Sequence, residues 1–172
     1  MKTNRWMVDL LRVGLLALAL AAAAVSGSAD DDDDQIVLKW KTMAAVQRPY
    51  LGAVNPVDGV GGGNAQWAIS RGWGHLKRNG ELEIHVRGLV LPEPPFNGVN
   101  VVPDFRGLVI CRTADAAGNA TTVQTFSAAF PASEDGTSDI VTSVSLPTPC
   151  MAPTVFVMHP DAPRWFATLG YN

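Results

Sequence analysis

Apolar and polar side chains alternate with a period of two through most of the sequence after residue 34, and no segment there has the 3.6-residue period of an amphipathic helix. The clearest run is 81–87, in which Leu82, Ile84 and Val86 alternate with charged or polar residues. Glycine and proline separate successive runs. The pattern predicts an all-β fold, an antiparallel β-sandwich of about nine strands with immunoglobulin-like or jelly-roll connections.

An Asn-Gly dipeptide at positions 79–80 marks a β-hairpin. A two-residue turn would mix apolar and charged side chains on both faces of this hairpin, because it would place Leu76 opposite Glu83. A three-residue loop over 78–80, with its glycine in the left-handed conformation, instead pairs Leu76 with Leu82 and keeps the apolar side chains together. The sequence therefore predicts the three-residue loop.

This register places a group of aromatic, imidazole and charged side chains on the face of the hairpin opposite its apolar residues. We call this group the hairpin patch: Trp73, His75, Glu83, His85 and Arg87. A tryptophan beside charged and hydrogen-bonding groups suits stacking on a sugar or a peptide. Two histidines and a carboxylate are also ligands that zinc and copper take. The third interpretation is an ordinary solvated sheet face with one half-buried tryptophan.

The first 29 residues have the pattern of a secretory signal peptide. Three basic residues accompany an apolar stretch from Val13 to Val25, and small residues at 27–29 fit a cleavage site. The stretch is shorter than the roughly 20 residues that cross a bilayer. We therefore predict a secreted or periplasmic protein with no membrane span after cleavage, and an uncleaved N-terminal anchor is the alternative.

The two cysteines, Cys111 and Cys150, lie in the exported part of the chain. An even number of cysteines in an oxidising compartment predicts one disulfide bond, and two buried free thiols are the alternative. The bond would close a loop of about 38 residues, which the chain-entropy model values at roughly 4 kcal/mol.

The formal net charge of −3 is unevenly distributed along the chain. Five consecutive aspartates at 30–34 repel one another and predict a disordered spacer. They fit a calcium loop poorly, because such a loop places its carboxylates at alternate positions. Residues 35–172, which we predict to form a single β-sandwich domain, contain 10 basic and 10 acidic residues. This balance excludes a strongly basic nucleic-acid-binding protein.

Three segments resemble those of small exported bacterial β-proteins that have two cysteines and whose function is unknown. They are Gly98–Arg106 (GVNVVPDFR), Gly107–Arg112 (GLVICR) and Ser145–Val157 (SLPTPCMAPTVFV), and both cysteines lie inside them. The resemblance implies export and a disulfide bond. It implies no catalytic residue.

Motifs for catalysis are absent from the sequence, which has no Gly-x-Ser-x-Gly elbow and no His-Glu-x-x-His. The glycine run at 59–63 lacks the Lys-Ser/Thr ending of a phosphate loop. We predict an exported non-catalytic β-sandwich, a binding or structural module of the cell envelope or extracellular space. Its ligand would be an unknown protein or glycan, with no cofactor and no nucleic acid. The alternatives are a small secreted hydrolase of sugar or cell-wall polymers and a periplasmic metal-binding protein that uses the hairpin patch.

Overall fold

The computed structural model describes residues 35–169. The predicted signal peptide (1–29), the predicted spacer (30–34) and the last three residues of the predicted domain (170–172) lie outside the described residues. This part of the chain forms ten strands and contains no helix long and apolar enough to cross a membrane. The strands are β1 (Ile36–Trp40), β2 (Met43–Ala45), β3 (Gly61–Gly62), β4 (Arg71–Lys77), β5 (Glu81–Arg87), β6 (Asp104–Ala114), β7 (Ala120–Pro131), β8 (Ser138–Ser143), β9 (Met151–Met158) and β10 (Arg164–Leu169).

The strands form two sheets in a sandwich-like arrangement. The first sheet has four strands in the order β1-β4-β5-β8, and the second has the order β2-β10-β9-β6-β7 with β3 added beside β10. All neighbouring strands are antiparallel except β3 and β10, which are parallel. The predicted all-β sandwich is confirmed, with ten strands in the described residues where the sequence predicts about nine.

The inner face of the four-stranded sheet carries the apolar half of the alternating pattern. Its fully buried side chains are Leu76, Leu82, Ile84, Val86 and Ile140. They face the second sheet, because a Cβ atom built on Gly107 of β6 would lie 3.0 Å from Cδ1 of Ile84. Burial of each such side chain stabilises the fold by roughly 2 kcal/mol.

The chain changes sheets between residues 40 and 43, whereas the sequence predicts one continuous strand over 35–43. Trp40 ends β1 in the first sheet, and Met43 begins β2 in the second. Both side chains pack onto β4 at positions where only glycine leaves room. A Cβ atom on Gly74 would lie 2.6 Å from Cζ2 of Trp40, and one on Gly72 would lie 2.7 Å from Met43.

The segment 66–70, which the sequence predicts to be a strand, forms only an isolated bridge through Ala68 and Val90. Its backbone amides donate to three different carbonyls, since Trp67 bonds to Val46, Ala68 to Val90 and Ser70 to Arg87. This pattern cannot extend into a ladder with one neighbour. The Trp67 ring instead packs in the core, where it stacks on Phe166 with the ring centroids 4.1 Å apart.

The glycine run at 59–63 lies in the long connection between β2 and β4, and this part of the connection packs against the second sheet. Gly61 and Gly62 form β3 beside β10. Nε1 of Trp165 donates to the carbonyl of Val60 over 3.2 Å. Asp58 accepts a hydrogen bond from the Thr154 hydroxyl over 2.6 Å. The glycine run is therefore paired and hydrogen-bonded within the described fold.

The predicted disulfide bond between Cys111 and Cys150 is present. It joins β6 to the turn that precedes β9, across 39 positions of sequence. Cys111 is buried in the core and Cys150 is partly buried against it, so the bond ties the turn before β9 to the interior of the fold.

We expect Gly74→Ala to lower the free energy of unfolding by about 3 kcal/mol, because the new methyl group overpacks a tight strand contact. Its Cβ atom would lie 2.0 Å from the main-chain oxygen of Glu83, which cannot move independently of β5. Gly107→Ala is the matched control, since its nearest neighbour is the terminal Cδ1 methyl of a side chain, Ile84, at 3.0 Å, and we expect it to cost about 1 kcal/mol. Urea unfolding measures both values. Equal losses would show that the Gly74 contact does not constrain this part of the fold.

Candidate functional site

The hairpin of β4 and β5 has the register that the sequence predicts. Leu76 lies opposite Leu82, and His75 lies opposite Glu83. Gly80 has a φ of 91°, and a Cβ atom there would lie 2.0 Å from the carbonyl oxygen of Val144. The three-residue loop therefore requires glycine at its last position, both for its backbone conformation and for space.

The five residues of the hairpin patch lie together on the outer face of the four-stranded sheet. His75 lies between two carboxylates, with Nε2 3.3 Å from Oε1 of Glu81 and Nδ1 3.6 Å from Oε2 of Glu83. His85 also lies between two, with Nε2 3.5 Å from Oε2 of Glu83 and Nδ1 2.7 Å from Oδ1 of Asp139. Two imidazoles and three carboxylates thus alternate across this face.

Trp73 lies at one end of this row, surrounded by nitrogen-bearing side chains. Its ring stacks on His85 with the centroids 5.1 Å apart and the planes 20° from parallel. The guanidinium carbons of Arg71 and Arg87 lie 4.5 Å and 5.1 Å from its centroid. Each such cation–π contact contributes about 0.5–1 kcal/mol at an exposed site. The indole is therefore held in place within the face.

Four members of this face fall outside the predicted set: Arg71, Lys77, Glu81 and Asp139. Asp139 of β8 accepts a hydrogen bond from Arg87 over 2.8 Å and lies opposite His85. Asp139 is 54 residues from His85 in the sequence and reaches it only because β5 pairs with β8. No local sequence pattern indicates that pairing. Arg71 is two positions before Trp73 on β4, so the period-two alternation was enough to place it on this face.

A cleft of about 310 Å³ lies beside Trp73, where the edge strand β1 meets β4. Among the described residues, three cationic side chains line it, from Lys39, Lys41 and Arg71, and Glu83 is the one acidic residue in its wall. Lys39 lies directly opposite His75 in the sheet. Among residues 35–169, none of the three cations forms an ion pair with a carboxylate.

The ion pairs of the face hold two carboxylates in their charged form. The Arg87 guanidinium lowers the pKa of Asp139 below its usual value, and the hydrogen bond with His85 lowers it further. The Lys77 ammonium, 2.9 Å from Oε1 of Glu81, lowers the pKa of that carboxyl in the same way, with a smaller effect from His75. Both acids are therefore negatively charged at neutral pH.

No protein-family model, curated protein or solved structure matches this chain. The face combines an alternating row of imidazoles and carboxylates, a tryptophan among cations, and a cleft whose three cations form no ion pair within residues 35–169. These features favour recognition of a charged ligand.

We expect Asp139→Asn to destabilise the protein at pH 7 by less than about 1 kcal/mol, because the pair with Arg87 is half exposed to solvent. The pKa of Asp139 is lower in the folded state than its ordinary 3.8. The stabilisation is therefore present above that value and is lost as the pH falls through the folded pKa. Urea unfolding from pH 7 down to about pH 2 should show the wild-type and variant curves converging.

Asp161→Asn is the control for this series, since the exposed Asp161 carboxylate forms no ion pair in the described part of the chain. It should follow the wild type at every pH. A difference between wild type and Asp139→Asn that persists unchanged in acid would contradict the electrostatic origin of the effect.

Proposed function

We propose that this protein is a non-catalytic binding module of the cell envelope or extracellular space, and that it binds an acidic glycan on the outer face of the four-stranded sheet. The observation that carries the proposal is the cleft beside Trp73, in which Lys39, Lys41 and Arg71 have no carboxylate partner among the described residues. The signal-peptide pattern of the first 29 residues and the disulfide bond support export.

The distribution of charge favours an anionic ligand over a neutral one. Residues 35–172 have 10 basic and 10 acidic residues, yet five of the basic side chains and only three of the acidic ones belong to this face and its cleft. Two of the basic residues are neutralised locally, because Lys77 pairs with Glu81 and Arg87 pairs with Asp139. The excess positive charge is thus concentrated at the cleft, and it would attract an anionic polymer.

The remaining groups of the cleft suit a sugar. Sugar hydroxyls both donate and accept hydrogen bonds, and Glu83, His75 and His85 offer carboxylate and imidazole groups beside the cations. The apolar face of a pyranose ring packs on an aromatic side chain such as Trp73. A glycan with carboxylate or sulfate groups would therefore satisfy the cations, the hydrogen-bonding groups and the indole at once, whereas an acidic peptide would satisfy chiefly the cations.

The hydrolase alternative has less support from the geometry. Such a hydrolase would place a histidine beside an acid in a cleft, together with a nucleophile or a water for that histidine to activate. His75 and His85 lie beside acids at the cleft, but among residues 35–169 neither is hydrogen-bonded to a serine, threonine or cysteine side chain. Nδ1 of His159 accepts hydrogen bonds from the main-chain amides of Asp161 and Ala162. The hydrolase therefore stays a prediction from the sequence.

Neutralising the two cleft lysines tests the proposal. We expect Lys39→Gln/Lys41→Gln to weaken binding to polygalacturonate or dextran sulfate about tenfold, since two exposed ionic contacts of roughly 0.7 kcal/mol each are lost. Arg48→Gln/Arg78→Gln is the matched control, because it removes two exposed positive charges from elsewhere on the surface. The control should retain wild-type affinity within about twofold, and affinity should fall as salt is raised.

The affinity of the wild type should also be measured for neutral dextran, poly-glutamate and duplex DNA. The proposal predicts no binding to dextran and weaker binding to the peptide and the DNA than to the acidic glycans. Equal losses in the two double variants would refute the assignment of the cleft. Tighter binding of poly-glutamate would make an acidic peptide the ligand.

A further inference from the structure

Each imidazole in the row has carboxylate oxygens close to both of its ring nitrogens. A neutral imidazole has one N–H donor, and its other ring nitrogen is an acceptor. His75 has carboxylate oxygens within 3.6 Å of both ring nitrogens, from Glu81 and Glu83. One of the two contacts is therefore between an acceptor and a charged acceptor, unless the ring carries a second proton or a cation lies between the groups. The same holds for His85 between Glu83 and Asp139.

A metal ion would remove this conflict at His75. One nitrogen of His75 and one oxygen each of Glu81 and Glu83 all lie within 4.8 Å of one another. Zn²⁺ bound by imidazole and carboxylate has ligand distances of about 2.0–2.2 Å. Two ligand atoms of one such ion lie at most about 4.2 Å apart, so these part-exposed side chains would rotate toward the ion to bind it.

We propose that His75, Glu81 and Glu83 bind a divalent transition-metal ion, Zn²⁺ or Cu²⁺. This mixture of one imidazole and two carboxylates favours these ions, because imidazole suits zinc and copper while calcium and magnesium take oxygen ligands alone. The hairpin positions all three ligands. His75 lies directly opposite Glu83 across the hairpin, and Glu81 lies two positions before Glu83 on the same face of β5.

The surrounding residues resemble the outer shell of a metal site. Ligands in metalloproteins are held in orientation by hydrogen-bonding partners outside the first shell. Here Lys77 lies 2.9 Å from Oε1 of Glu81. On the other side, His85 lies 3.5 Å from Oε2 of Glu83. His85 is itself held by Asp139 at 2.7 Å. Both carboxylate ligands thus have partners that limit their movement.

This inference does not rest on glycan binding, since Lys39, Lys41 and Arg71 are not among the ligands. The two proposals therefore fail separately. A protein that binds Zn²⁺ but no acidic glycan would overturn only the proposed function, and Lys39→Gln/Lys41→Gln should bind Zn²⁺ within about twofold of the wild type, since its metal ligands are unchanged.

The experiment is titration calorimetry of Zn²⁺, Cu²⁺ and Ca²⁺ into protein without a histidine tag. We expect one saturable site for Zn²⁺ or Cu²⁺ and weaker binding of Ca²⁺. His75→Asn should lower the affinity at least tenfold, because it removes the only nitrogen ligand. His159→Asn is the matched control and should bind as the wild type does, since its side chain can still accept the two main-chain hydrogen bonds that His159 accepts.

The aspartates at 30–34 are identical in all these variants, so any metal that they bind contributes equally to each titration. Thermal unfolding without metal establishes that the His75→Asn variant is folded. No saturable heat with Zn²⁺ or Cu²⁺ in the wild type would overturn the proposal. Undiminished affinity in folded His75→Asn would overturn it too, as would Ca²⁺ binding as tight as that of Zn²⁺.

Discussion

The pairing register of β4 and β5 is the constraint on which the rest of this structure depends. Side chains alternate between the two faces of a strand, so a slip of one residue would move Leu82, Ile84 and Val86 into solvent and Glu83 and His85 into the core. Burial of each of the three apolar side chains contributes roughly 2 kcal/mol, which opposes any such slip. The register that buries these apolar side chains therefore also places the charged side chains together on the outer face. The core and the charged face of the hairpin are consequences of one pairing.

The second constraint is the close approach of β1 to β4, which places cations at the margin of this face. Gly74 lets the indole of Trp40 lie against the sheet, and Gly72 does the same for Met43. The chain can then leave the first sheet at Trp40 and enter the second at Met43, with Lys41 exposed at the crossing. The cleft beside Trp73 is thus a consequence of where the chain changes sheets.

The sequence was sufficient for features that depend on neighbouring residues. Alternation and one Asn-Gly turn determine the loop over 78–80, the pairing of His75 with Glu83, and the position of Arg71. It was insufficient where partners are distant in sequence. Asp139 reaches His85 only because β8 pairs with β5. The net charge of residues 35–172 is zero, which predicts no attraction of polyanions. The net charge does not reveal that the folded chain places five of its ten basic residues around one face.

Glu83 links the two proposed ligands of this face. It is a ligand in the proposed metal site and, within the part of the chain that the structure describes, the one acidic residue that lines the cleft. A bound Zn²⁺ would cancel its charge, so the field of Lys39, Lys41 and Arg71 would act on a glycan with less opposition. Binding free energies are reciprocal, and an acidic glycan in the cleft would therefore strengthen metal binding by the same factor. The two proposed sites would thus be coupled through Glu83, which belongs to the metal cluster and also lines the cleft.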